Sequence, residues 1–134
     1  MADAVATQTI HEGPRNVIMR FTNVSDGTGE TNVVKVAMAS LTAQGGFPKP
    51  AHVRVKRIIF ATQGMGVRLL WNASTPVMFY ECPANYNDDL NLDVARSFLN
   101  TKATGRDGGI VFSTVAAGAG KTYNVELHMI KKYT

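Results

Sequence analysis

Residues 53–76 read VRVKRIIFATQGMGVRLLWNASTP, and this stretch decides the fold. Val53, Val55 and Ile59 fall on one side of an extended chain, while Arg54 and Lys56 face one way and Arg57 the other. Gln63-Gly64 breaks the run, and Val67, Leu69 and Trp71 begin a second run of the same period. Apolar residues at alternate positions mark a strand with one face on a core, because successive side chains leave a strand on opposite sides. Trp71, in phase with Val67 and Leu69, is expected inside. Pro76 opens a further short strand, Val77 to Tyr80.

The same period extends in both directions. Upstream, Val17, Met19 and Phe21 share a face with Arg20 and Thr22 opposite, until SDGTG at 25–29 supplies a hairpin or tight-loop signal and residues 33–36 return as a strand. Residues 42–52, TAQGGFPKPAH, are a loop by composition. Downstream, Ile110 to Thr114 and Thr122 to Lys131 are the last strands. Between Pro83 and Gly109 lies a long loop rich in Asn and Asp, in which Leu92, Ala95 and Phe98 at spacings of three allow a short helix between Asp93 and Leu99. About eight strands at intervals of roughly 8 to 12 residues predict an all-β, single-domain antiparallel sandwich or barrel. Residues 1–15 read as an N-terminal arm, loose or paired with a neighbour, and residues 16–134 as the domain.

Composition narrows the function classes. A chain of 134 residues is long enough to bury a core without staples. Its single Cys82 excludes an internal disulfide, and Met1 leads into a polar stretch without an apolar signal core, so the expectation is synthesis in a reducing compartment. No apolar run approaches the roughly 20 residues of a membrane-spanning helix, so no membrane partner is expected. Charged residues make up 18% of the chain, below the usual quarter or so, which suits a surface partly covered by a partner.

One string imitates a nucleotide site. GAGKT at 118–122 resembles the end of a phosphate-binding loop, but Val115 stands where that loop has its first Gly. Tyr123, Val125, Leu127 and Met129 then alternate as a strand where a helix would have to open. The reading is a glycine-rich turn entering the final strand. His11, His52, His128 and Cys82 lack metal-ligand spacing, and the oxygen-rich NYNDDLNLD at 85–93 lacks the glycine and spacing of a calcium loop. Cys82 reads as a buried small hydrophobe. No catalytic residue, cofactor or metal is expected.

The basic residues offer more. Arg54, Lys56, Arg57 and Arg68 lie within the nineteen residues from Val53 to Trp71, a span without an acidic residue. Nucleic acid would be drawn to that charge, but stacking aromatics are missing beside it, Phe60 being the main candidate. An acidic protein surface is the better match, and no specific nucleic acid is expected.

Three stretches carry a family likeness: FTNVSDGTGETNVVKV at 21–36, residues 53–76 above, and GGIVFSTVAAGAGKTYNVELHMIKK at 108–132. In this order and spacing, from about Val17 to Lys132, the chain resembles small virion proteins of tailed bacteriophages, most of all the capsid cement or decoration proteins. The resemblance implies a jelly-roll-like sandwich that forms a homotrimer where capsomers meet and clamps neighbouring copies of the major capsid protein. The protein would be made in the bacterial cytoplasm and placed on the capsid surface. Nothing in that role needs an active site. From charge placement, Arg54, Lys56, Arg57 and Arg68 are expected at the shell contact, with Arg15 as a peripheral grip; from their place beside loops, Phe47, Phe79 and Tyr80 are expected at the trimer contact. A phage tail or connector component is the alternative within the same class. A carbohydrate-binding module is the alternative outside it, with Trp71, Tyr80 and Tyr86 as the aromatics that could stack on sugars.

Overall fold

The computed structural model describes residues 4–13, 15–41, 49–50, 52–91 and 108–132. Nine strands occupy them: β1 (Ala4–Glu12), β2 (Asn16–Val24), β3 (Val33–Val36), β4 (His52–Gln63), β5 (Gly66–Trp71), β6 (Val77–Cys82), β7 (Asn87–Asn91), β8 (Ile110–Val115) and β9 (Thr122–Lys132). One sheet has the order β1-β2-β9-β4-β7 and the other β3-β8-β5-β6. All strand pairs within them are antiparallel.

The pairing is nested. β2 pairs with β9, β3 with β8, β4 with β7 and β5 with β6. A chain folded into one long antiparallel ribbon gives these four pairs, and rolling the ribbon sets β9 against β4 and β8 against β5, dividing it into two sheets. That winding is the jelly roll, and the chain is an all-β sandwich of this kind. The alternation of β2 and β9 explains the core between the sheets: Val17, Met19 and Phe21 face in from β2, and Tyr123, Val125, Leu127 and Met129 from β9. Phe21 meets Phe112 of the opposite sheet edge to face, with centroids 5.1 Å apart, and Phe112 meets Tyr123 at 5.9 Å. Such pairs add about 0.5–1.5 kcal/mol each beyond area burial. Trp71 and Cys82 are buried, as their phase requires.

Three features depart from the sequence reading. β4 carries a bulge between Val55 and Arg57 that leaves Lys56 unpaired, so the phase shifts by one residue. Ile58 and Phe60, in place of Ile59, therefore continue the buried face of Val53 and Val55. The segment expected as an arm supplies β1, which pairs with this chain's own β2 along the edge of the larger sheet. The loop expected after Pro83 contains β7, paired with β4. Phe47 and the helix expected between Asp93 and Leu99 lie outside the described residues.

The β2–β3 loop closes one end of the sandwich. In the turn before β9 the Lys121 carbonyl accepts from Ser25 N–H and Gly120 N–H donates to the Ser25 carbonyl, and Thr114 N–H donates to the Glu30 carbonyl. Gly29 has φ +77, and a Cβ there would meet Thr114 Oγ1 at 2.6 Å, so the loop can cross at this point only as glycine.

Candidate functional site

The β4 bulge rearranges the basic residues. With Lys56 taken out of the ladder, Arg54 and Arg57 stand on the same outer face of the larger sheet, not on opposite faces as strict alternation predicts. Arg57 is clasped by Asp89 of β7, Nε to Oδ1 at 2.8 Å and the second nitrogen to Oδ2. The hydrogen bond and the opposite charge raise the Arg57 pKa, and the same bond holds the Asp89 carboxyl below its ordinary value. Arg68 is on the other sheet, where its Nε donates to Glu81 Oε1 at 2.7 Å. Arg15 is exposed just before β2, its carbonyl accepting from the Lys131 backbone N–H. Lys56 is exposed on the bulge, and Arg54 Nε is buried with no hydrogen bond among the described residues. The span without acidic residues is thus answered by acids from β6 and β7. Phe60 is buried in the core and offers no platform beside these charges.

β6 has a bulge of its own, at Phe79, between the pairs Leu69–Tyr80 and Leu70–Met78. Phe79 stacks on Trp71 with centroids 4.2 Å apart, and Tyr80 meets Phe60 at 6.0 Å. Both rings therefore serve this chain's own packing, and the large apolar side chains that β6 leaves exposed are Val77 and Met78. Burial pushes the Cys82 thiol up to about 12, helped by Glu81, so it is held as the neutral thiol. Lys121, the lysine of GAGKT, donates to the Ala116 carbonyl at 2.9 Å, and the Gly120 and Lys121 N–H groups donate to the Ser25 and Gly118 carbonyls, so these three donors are already engaged within the chain. Among the described residues no group of three or more His, Cys, Asp or Glu could hold a metal ion.

Two polar clusters become visible only through the register. On the outer face, Arg20 of β2 lies opposite Glu126 of β9 and donates to its Oε1 at 2.9 Å, while His128 Nε2 is 2.8 Å from Oε2. Burial raises the Glu126 pKa, but the bonds from His128 and Arg20 outweigh it and hold the carboxyl below its ordinary value. Inside, the buried Glu30 takes Lys35 Nζ at 2.6 Å on Oε2, and Asn23 Nδ2 at 3.1 Å together with Tyr123 Oη on Oε1. Alternation places each residue on a face, but the partners lie on different strands, so spacing alone does not reveal them.

The outer face of the larger sheet also holds a groove of about 700 Å³ at the end nearest the β4–β5 turn. Cross-strand register sets Thr22, Asn124, Ala61 and Asn87 in one row across β2, β9, β4 and β7, with Val24, Thr122 and Gln63 in the row beyond. The small Ala61 leaves a notch between two amides. The wall formed by Asn85 and Tyr86 is pinned to β4: Thr62 N–H donates to Tyr86 O at 2.9 Å, and Gly64 N–H to Asn85 Oδ1 at 2.8 Å. No charged side chain lines this groove.

A comparison with known proteins finds no family model and no curated sequence that matches the chain.

Proposed function

We propose that this chain is a non-enzymatic structural protein of a bacteriophage virion, a cement protein that binds the assembled capsid shell as a homotrimer. The observation that carries the reading, beside the family likeness, is the state of the two edges of the four-stranded sheet. Among the described residues β3 and β6 are the edge strands of that sheet, and they expose Val33 at 38%, Val34 at 51%, Val77 at 46% and Met78 at 50%. Edges of this kind invite strand pairing with another chain, and proteins that live as monomers blunt them. Joining the β3 edge of one copy to the β6 edge of the next is a heterologous contact, which closes into a ring when the rotation allows.

Three linked copies then bind by multivalent attachment, and a protein that recognises only the assembled lattice stabilises it by mass action. Arg15, Arg54 and Lys56 are the basic residues from the expected contact set without an acidic partner among the described residues, and they suit an acidic strip on the major capsid protein. Arg57 and Arg68 would take part only by exchanging their carboxylates.

The test is quantitative mass spectrometry of purified particles encoding this chain. A copy number close to that of the major capsid subunit supports the shell role. A handful of copies per particle would move the protein to the tail or connector and remove the shell mechanism.

A further inference from the structure

We propose that the groove on the outer face of the larger sheet is a binding site for a neutral oligosaccharide. Six residues carry the argument: Thr22, Ala61, Gln63, Asn87, Thr122 and Asn124. Five of them bear amide or hydroxyl groups, and none of those five forms a side-chain hydrogen bond among the described residues, although the neighbouring rows of the same face are tied up in the Arg20–Glu126–His128 and Arg57–Asp89 contacts.

The chemistry selects the ligand class. An amide offers both donors and acceptors, and so does a sugar hydroxyl, so the two can be matched in either direction. Nucleic acid would need free cations against its phosphates; no charged side chain lines the groove, and Arg20, which borders the notch at its adjoining end, is already bonded to Glu126. An apolar peptide would need apolar subsites, and Ala61 and Val24 are the only aliphatic side chains of this lining. The volume of about 700 Å³ falls inside the range of roughly 300–1,000 Å³ usual for small-ligand sites.

The geometry adds a notch. Asn124 and Asn87 flank Ala61 on adjacent strands, two strand spacings apart, which is about 10 Å. A ring set over Ala61 would meet an amide on each side, with Thr22 beyond Asn124 and with Gln63 and Thr122 at the far end. Tyr86 in the pinned wall has its ring 6.1 Å from that of the core residue Phe60, and its exposed part, 53% of the residue, is the aromatic surface offered to the sugar's apolar edge. This inference is independent of the shell role.

The experiment uses the full chain on an array of neutral and acidic glycans, followed by NMR titration of the labelled protein with chitotriose, maltotriose and lactose. The expected result is binding of a neutral glycan, with amide shifts confined to β2, β4, β7 and β9 at this end. Ala61→Phe, which fills the notch from an exposed position, should abolish it; Asn124→Ala should weaken it about tenfold, the loss of one or two hydrogen bonds. Circular dichroism melts of both variants check that the fold is kept. Failure of every neutral glycan to bind, binding of acidic glycans alone, or binding untouched by a folded Ala61→Phe protein would each overturn the proposal.

Discussion

The buried pair Lys35–Glu30 gives the sharpest test of how this fold is held together. Both side chains are 5% exposed, and the ammonium lies 2.6 Å from the carboxylate. Glu30→Gln keeps the shape and leaves an oxygen for Tyr123 and Asn23, but removes the charge that compensates Lys35. Breaking a buried pair from one side costs about 3–5 kcal/mol, because the remaining charge stays buried and unpaired. Lys35→Met leaves a carboxylate that still accepts from Tyr123 Oη and Asn23 Nδ2. Its loss should fall at the lower end, about 3 kcal/mol, since hydrogen bonds to a charged group retain roughly 1.5–3 kcal/mol each. Against a total stability of about 5–15 kcal/mol for a domain, either single variant is severe. The double variant Glu30→Gln/Lys35→Met buries no charge and should be markedly more stable than the sum of the two losses. Urea unfolding followed by tryptophan fluorescence, with Trp71 as the reporter, measures all four proteins at a common slope. Single losses under about 1 kcal/mol, or a double variant equal to the sum, would refute the view that the pair seals this end as a unit.

Other expectations are more local. In the salt dependence of shell binding, Arg54→Ser and Lys56→Ser should account for most of the effect of the triple Arg54/Lys56/Arg57→Ser variant, since Asp89 already occupies Arg57; binding unchanged across ionic strength would remove the basic face from the contact. Glu126, whose folded pKa lies below the ordinary 4.5, contributes stability that is present above that value and lost as pH falls through the folded one. Glu126→Gln should flatten the acid limb of a Tm-against-pH curve below about 4.5, and an unchanged slope there would count against the Arg20–Glu126–His128 contacts. Cys82 has its thiol raised from 9.0 to about 12, so its contribution is complete below 9.0 and declines as pH climbs toward 12. Native protein should be inert to a thiol reagent at pH 8 and react fully in urea, and rapid native labelling would contradict the burial.

How far the sequence discloses this fold depends on what each strand faces. β2, β5 and β9 were legible because one face is core and the other is not, so Val, Phe, Leu and Tyr alternate with polar residues. β7, with the sequence NDDLN, is an edge strand in which only Leu90 packs on the core, and five such residues resemble a solvated loop. β1 has the composition of an arm, and what fixes it is pairing with β2 and a tie from Lys131 Nζ to Glu12 at 2.9 Å, neither of which leaves a periodic signal. The bulge at Lys56 is invisible for a different reason: an extra residue changes the phase without changing the composition, so Ile59 took the place that belongs to Ile58. Of the groove residues Thr22, Thr122 and Asn124 were legible as strand positions, Gln63 and Asn87 were not, and their convergence depends on the register of four strands.

Charge is where sequence proximity and spatial proximity diverge most. A run of basic residues without an acid looks like a patch because neighbours along a chain are assumed to be neighbours on the surface. In an antiparallel sheet the nearest side chains on a face belong to other strands, about 5 Å away, whereas the next residue of the same strand that shares the face is nearly 7 Å off. Asp89 and Glu81 are remote from Arg57 and Arg68 in sequence but sit across the ladder from their strands, and each takes its arginine out of the field. The net charge of +4 is unchanged by this, but its distribution is not. Of the basic residues expected at the contact, those without an acidic partner among the described residues are Lys56, thrown out by the bulge, Arg54 beside it, and Arg15 ahead of the first long core strand. The bulge exposes Lys56 at a position where its side chain can change without touching the core, because Val55 and Ile58 stay buried on either side of it.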